Sequence, residues 1–298
     1  MMFPCVIETD KLSKSYGSFE AVRELSLLVE KGSITGFLGQ NGAGKSTTIK
    51  MLLGMMRPSH GGGRVLGHDI ADPKASLAMR QRIAYVAEDK RLYDYMTVGQ
   101  LIAFTKAFYP TWREDVEKEL LEEFRLPVDR VTKKLSKGMR TQTALLLAFS
   151  KGAELLVLDE PSEGLDPVIA ERVLQLTVRA AADGASVFFS SHQIAEVEQI
   201  ADRVLMIDRG RLVLDTSLDA VREKFRRIRA VYEHPESVDL RSLAGARRVH
   251  IDGRVLSVIA SENVDAIAAR LHETQGTAIE VLPVTLKEVL LDSIGTGK

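Results

Sequence analysis

The sequence has little of several features that would each commit it to a class. It holds one cysteine, Cys5, among 298 residues, so no internal disulfide is available and the frameworks of small secreted domains are excluded. A reducing compartment is expected. Charge of one sign is missing too: 40 Lys and Arg stand against 41 Asp and Glu. That balance leaves no electrostatic footprint for a polyanion, and no nucleic-acid partner is expected. Long hydrophobic runs are absent. The most apolar stretches, Thr143–Phe149 and Leu155–Leu158, fall far short of the roughly 20 residues that cross a bilayer, so any membrane function has to come through a partner. Met1–Asp10 contains no basic segment followed by an apolar stretch and a small-residue cleavage site, and no export signal is read there. No repeat with a period of roughly 20 to 50 residues is found, and no low-complexity tract apart from the turn-like Gly61-Gly62-Gly63.

What is present is the ordinary balance of a globular chain, 45% apolar and 27% charged residues, at a length that holds one large domain and a small appendage. Short apolar runs at Ile34–Leu38, Ile83–Val86, Leu155–Leu158 and Val187–Ser190 read as buried strands, and helical spacing follows the first of them over Thr47–Leu53. This order predicts an α/β fold, a mainly parallel sheet with helices on both faces. Strand signals vanish between about residues 88 and 150. There Val116, Leu120, Leu121 and Phe124 make one apolar stripe, predicting an amphipathic helix over Arg113–Arg125 that ends before Pro127, and hence an inserted helical subdomain. Beyond Leu214 the pattern changes again. Asp252-Gly253 reads as a hairpin turn, Val264, Ile267 and Leu271 as a helix closed by Gly276, and Leu286–Ile294 as a last helix. The domains predicted are residues 5–215 and a small C-terminal α+β domain at 216–298.

Chemistry enters with Gly39-Gln40-Asn41-Gly42-Ala43-Gly44-Lys45-Ser46, which satisfies the phosphate-loop pattern between an apolar strand and a helix. Successive backbone N–H groups at the positive end of a helix dipole make an anion-binding nest. In such a loop Lys45 reaches the β and γ phosphates without making a core contact, and the Ser46 hydroxyl ligates Mg²⁺. A second element, Leu155-Leu156-Val157-Leu158-Asp159-Glu160, sets two adjacent carboxylates at the tip of a buried strand, where sheets of this type hold ligands. Asp159 would hold Mg²⁺ through water and Glu160 would orient or deprotonate the attacking water. Taken alone, the pair reads equally as the polar end of a core strand.

These residues, together with Leu135-Ser136-Lys137-Gly138-Met139 and Ser190-Ser191-His192, resemble the ATPase subunit of ABC transporters over about residues 5 to 215. The resemblance implies a phosphate-loop NTPase that binds ATP and Mg²⁺ through Gly39, Asn41, Gly42, Gly44, Lys45, Ser46 and Thr47. It places Tyr16 against adenine, His192 against the γ-phosphate, and Ser136 and Gly138 against the ATP of a second subunit, while Asp166 falls in the loop by which one subunit senses the other. Ser136 is by position also a plain helix cap. Two departures stand out: Glu88 replaces the family's usual glutamine and adds a negative charge beside the triphosphate, and the signature reads Leu-Ser-Lys-Gly-Met. Both variants, and the stretch Leu282–Leu290, are similar to those of bacterial exporters whose permease is a separate integral-membrane polypeptide. The implied setting is a dimer of ATPase subunits, peripheral to the membrane on its cytoplasmic side, with the aromatic stretch Asp89–Met96 either receiving a permease helix or packing the helical subdomain. Two rivals remain at this level: a soluble ATPase of the same family working on ribosomes or DNA, opposed by the single phosphate loop and the lack of long heptads, and a phosphate-loop kinase or ATP-gated regulator, opposed by Ser136 and Glu160.

Overall fold

In the computed structural model, which describes residues 5–235, 238–239 and 243–289, the first elements are β1 (Cys5–Tyr16), β2 (Phe19–Leu25), β3 (Leu28–Glu30), β4 (Ile34–Leu38), α1 (Lys45–Leu52), β5 (His60–Val65), β6 (His68–Asp69), α2 (Pro73–Gln81) and β7 (Ile83–Val86). There follow α3 (Val98–Lys106), α4 (Glu114–Glu123), α5 (Lys137–Ser150), β8 (Leu155–Asp159), α6 (Pro167–Ala182), β9 (Ser186–Ser191), α7 (Ile194–Ile200), β10 (Arg203–Asp208) and β11 (Arg211–Ser217). By contacts the chain divides into two units, Met1–Asp215 and Thr216–Lys298.

The first unit has two sheets. One is six-stranded, in the order β11-β10-β4-β9-β8-β7, and its strands β10, β4, β9, β8 and β7 pair in parallel. Every residue of β4, β8 and β9 is buried, as expected of parallel strands covered by helices on both faces. Phe37 and Phe188 meet at 5.2 Å between ring centroids within this layer, and each such buried side chain contributes roughly 1.5–3 kcal/mol. All four strands read from the sequence lie here.

The expectation of a mainly parallel architecture is corrected by the second sheet, in which β1 pairs antiparallel with β2, β3 and β5, and β5 with β6. Its hairpins are joined by connections too short for the crossover that parallel pairing needs. These strands escape a period-two reading because bulges interrupt it: Lys11 and Glu24 sit at φ 47° and 46°, beside register shifts in β1. Each bulge moves the following side chains to the other face.

Between β7 and β8 the chain is helical. The Thr97 and Gln100 side chains form a reciprocal cap at the start of α3, α4 buries Val116 and Leu120, and the Ser136 hydroxyl caps α5 by accepting from the Met139 amide at 3.2 Å. The α4 stripe thus lies inside the predicted span, and Arg125, at φ 50°, turns the chain away.

In the second unit α8 (Leu218–Lys224) precedes β12 (Arg226–Val231), β13 (Ala246–Asp252), β14 (Val255–Ala260), α9 (Val264–Glu273) and β15 (Thr277–Pro283). The strands form one sheet, β13-β14-β12-β15. Its pairings are antiparallel, and Ile228, Leu256 and Val258 form a core with Ile267 and Leu271 of α9. The hairpin turns at Gly253, φ 55°. The left-handed residue after α9 is Gln275 rather than Gly276; a Cβ on Gly276 would fall 2.6 Å from the Leu271 carbonyl oxygen. Residues 286–289 are helical, and the rest of the last predicted helix lies outside the described residues.

Candidate active site

β4 leads straight into the glycine-rich loop. Gly42 and Gly44 take φ values of 82° and 112°, conformations that favour glycine, and a Cβ on Gly44 would lie 2.6 Å from the Ala21 carbonyl oxygen. The loop ends as the N-terminus of α1. With Tyr16, Phe19, Glu88 and Glu160, the loop residues Asn41, Gly42, Gly44, Lys45, Ser46 and Thr47 line one cleft of about 450 Å³. The sequence-derived phosphate residues, the aromatic Tyr16 and two of the carboxylates therefore converge. Gly39 adjoins them through its carbonyl, which accepts from Lys45 Nζ at 2.7 Å.

Lys45 is only 5% exposed and Glu160 only 3%. Their charged ends lie 3.1 Å apart, Lys45 Nζ against Glu160 Oε1. Oε1 has no hydrogen-bond donor besides this ammonium, so a lone pair stays available to a water. The other oxygen, Oε2, lies 2.8 Å from His192 Nδ1. Glu160 holds a left-handed backbone, φ 48°, a strain that non-glycine residues keep only where surroundings impose it. Beside it Asp159, 1% exposed, accepts from the Ser190 hydroxyl of the neighbouring strand β9. The Ser46 hydroxyl donates to Glu88 Oε2 at 3.2 Å.

Residues outside the sequence reading join the site. Phe19 pairs with Tyr16 across the β1–β2 turn, bringing a second aromatic to the cleft. Ser190 ended a predicted strand, but its partner could not be read without the β8–β9 register. Lys90 donates from Nζ to the Glu160 carbonyl at 2.9 Å. Burial lowers its pKa, while the negative charges of Glu163, Asp159 and Glu88 oppose that shift. Burial likewise raises the Tyr85 pKa, with Asp159 and Glu88 adding to the effect.

Ser136 and Gly138 do not line this cleft. Within one chain Ser136 is the cap of α5, and Asp166 caps α6 by accepting from the Val168 and Ile169 amides. A separate cavity of about 310 Å³ at the opposite end of β8, lined in part by Arg113, Glu154 and Arg179, offers little chemistry. Its charges are already paired, Arg113 with Asp115, Arg82 with Glu154 and Arg179 with Glu119.

The donors fit Mg²⁺ with a nucleotide. Ser46, Glu88 and Asp159 carry hard oxygen donors, and among the described residues no cluster of three or more His, Cys, Asp or Glu forms a complete cage. An ion that keeps waters and phosphate oxygens in its shell needs few protein ligands.

Known proteins resemble this chain in sequence and fold. The ABC transporter family pattern matches residues 22–163. The chain is 32% identical over 306 residues to the Nod factor export ATP-binding protein I of Rhizobium etli, covering 99% of this chain and 95% of that one. It is 30% identical over 299 residues to the bacitracin transport ATP-binding protein BcrA of Bacillus licheniformis, covering 96% and 95%. Two longer cyanobacterial relatives are spanned over 64% and 68% of their length. A solved ATP-binding subunit of an ABC transporter superposes with a TM-score of 0.67 at 30% identity, over 73% of this chain and 92% of that one. From its phosphate loop, its fold and its near full-length relatives, the chain belongs to the ABC transporter family as an ATP-binding subunit.

Proposed function

We propose that the chain binds Mg-ATP in this cleft and hydrolyses it to drive export through a separate integral-membrane permease, as one of two ATPase subunits on the cytoplasmic side of the cell membrane. The observation that carries the reading is the state of Glu160: a buried carboxylate on a strained backbone, with one oxygen on His192 and the other facing the Lys45 ammonium of the phosphate loop. Such a group is built to accept a proton from a water placed between it and a phosphate. The loop Gly39–Thr47 cradles the phosphates, Lys45 offers its ammonium to the β and γ groups, and Tyr16 stacks on the base with Phe19 beside it. His192 holds the Glu160 carboxylate in place. Ser46, Glu88 and Asp159 hold Mg²⁺, whose charge when bound offsets that of the phosphate oxygens.

Ser136 and Gly138 act on the ATP of the second subunit. A Cβ at Gly138 would meet only the Gly164 carbonyl oxygen, at 3.8 Å, so nothing within the chain requires glycine there. Export is supported by the relative that carries it in its name, and a separate permease by the finding that no helix among the described residues is long and apolar enough to cross a membrane. The groove of about 280 Å³ lined by Leu92, Tyr93, Leu101 and Leu147 is the seat for a permease helix. Residues 5–215, with a helical subdomain at about 88–150, form the ATPase domain, and 216–298 an accessory domain.

Phosphate release by the purified chain, measured with ATP and with or without Mg²⁺, tests the reading. No ATP turnover under either condition, together with failure to recover an integral-membrane polypeptide with the tagged chain from native membranes, would overturn it.

A further inference from the structure

The left-handed turn at Glu160 is held by identifiable groups. Its amide donates to the Ser190 carbonyl at 3.2 Å, and its own carbonyl accepts from the Glu163 amide at 3.3 Å. A shorter and charged bond reaches the same carbonyl from Lys90 Nζ, at 2.9 Å. The Ser190 hydroxyl also accepts from the Glu160 amide, at 3.3 Å, but charged donors form the stronger class of hydrogen bond, and Lys90 is the charged member of the clamp. Lys90 belongs to the loop after β7, separated from Glu160 by 70 positions in sequence. It is not among the residues lining the nucleotide cleft. Instead it lines the groove that also contains Tyr93 and Leu147, so its side chain runs from that groove to the backbone of the hydrolytic carboxylate.

We propose that Lys90 is a positioning residue for hydrolysis: by clamping the Glu160 carbonyl it keeps the strained turn in the one conformation that aims the carboxylate at the attacking water, and it ties that conformation to the groove. The proposal rests on the reading of Glu160 as the hydrolytic carboxylate. Without the ammonium, residue 160 relaxes toward ordinary backbone angles and its carboxylate shifts. The phosphate cradle at Gly39–Thr47 does not involve Lys90, so nucleotide binding stays as it is. Small displacements of a reacting group are enough to cost one or two decades of rate.

The test is steady-state Mg-ATPase kinetics and thermal melting on the purified full chain, comparing Lys90→Met, Lys90→Gln and Lys90→Arg with the unaltered protein. Both neutral variants should lose about ten- to a hundredfold in kcat while KM stays within about twofold and the melting temperature within about 3 °C. Lys90→Arg, which keeps a charged donor, should recover most of kcat. Unchanged kcat in the neutral variants, a matching rise in KM, an arginine variant as poor as the methionine one, or unfolding of both neutral variants would each overturn the proposal. If the unaltered chain itself turns over no ATP, the hydrolytic role of Glu160 fails and this proposal with it; if it is active and Lys90→Met equals it, only the proposal for Lys90 fails.

Discussion

Lys45 and Glu160 face each other at 3.1 Å, with side chains 5% and 4% exposed, so the lysine of the phosphate loop neutralises the carboxylate at the tip of β8. Lys45 also donates to the Gly39 carbonyl at 2.7 Å. It is thus more than a surface cation waiting for phosphate, and the expectation that it makes no core contact does not hold.

Lys45→Ala should abolish ATP hydrolysis and also destabilise the chain by about 1–3 kcal/mol, because it leaves a buried carboxylate and a carbonyl without their cation. Chemical denaturation measures the second effect. The double variant Lys45→Ala with Glu160→Gln should lose less stability than the two single losses combined, since it also removes the stranded charge. A single variant as stable as the parent would show that the pair contributes nothing to the fold.

Glu160→Gln should preserve ATP binding while slowing hydrolysis by a factor on the order of 100 to 10,000, the usual range for a lost general base. The amide retains the size of the side chain, and His192 keeps a partner at Oε1 or Nε2. An ATP-bound dimer should therefore accumulate and be visible by size-exclusion chromatography with ATP and Mg²⁺. Normal turnover would remove Glu160 from the chemistry.

Glu88→Gln should tighten the binding of ATP without Mg²⁺ by about three- to tenfold at low salt. The carboxylate already accepts from Ser46 beside the phosphate loop, and Glu88 is exposed. A charge there repels a triphosphate by about 1 kcal/mol at contact distance in water. The gain should shrink as salt screens it, which titration of a fluorescent ATP analogue at two ionic strengths will detect.

Tyr93→Ala with Tyr95→Ala should leave the fold and basal ATPase intact while weakening association with the permease. The two rings are 51% and 74% exposed, which excludes the alternative that they are core residues. They lie 6.0 Å apart, and Tyr93 meets Phe104 at 5.6 Å, in contact with Phe108. Losing these ring contacts costs about 0.5–1.5 kcal/mol per pair, a modest shift in melting temperature. Full transport with the permease still bound would mean that the partner docks elsewhere.

Neighbouring residues are enough to specify the local parts of the chain. The phosphate loop is a run of neighbours whose glycines, lysine and serine specify one turn, and the four strands of the parallel layer are legible because burial on both faces makes them uniformly apolar. The cap Ser136, the α4 stripe and the turn at Asp252-Gly253 are likewise short-range signals. Tertiary structure alone decided what depends on register between distant strands. The parallel pairing of β8 with β9 sets Ser190 against Asp159, and the loop after β7 brings Lys90 to Glu160. The left-handed backbone of Glu160 carries no residue-type signal, since glutamate is a poor choice for it, and the bulged antiparallel sheet hides its alternation. In each of these cases the stabilising partner is remote in sequence, so the local pattern holds only half of the interaction.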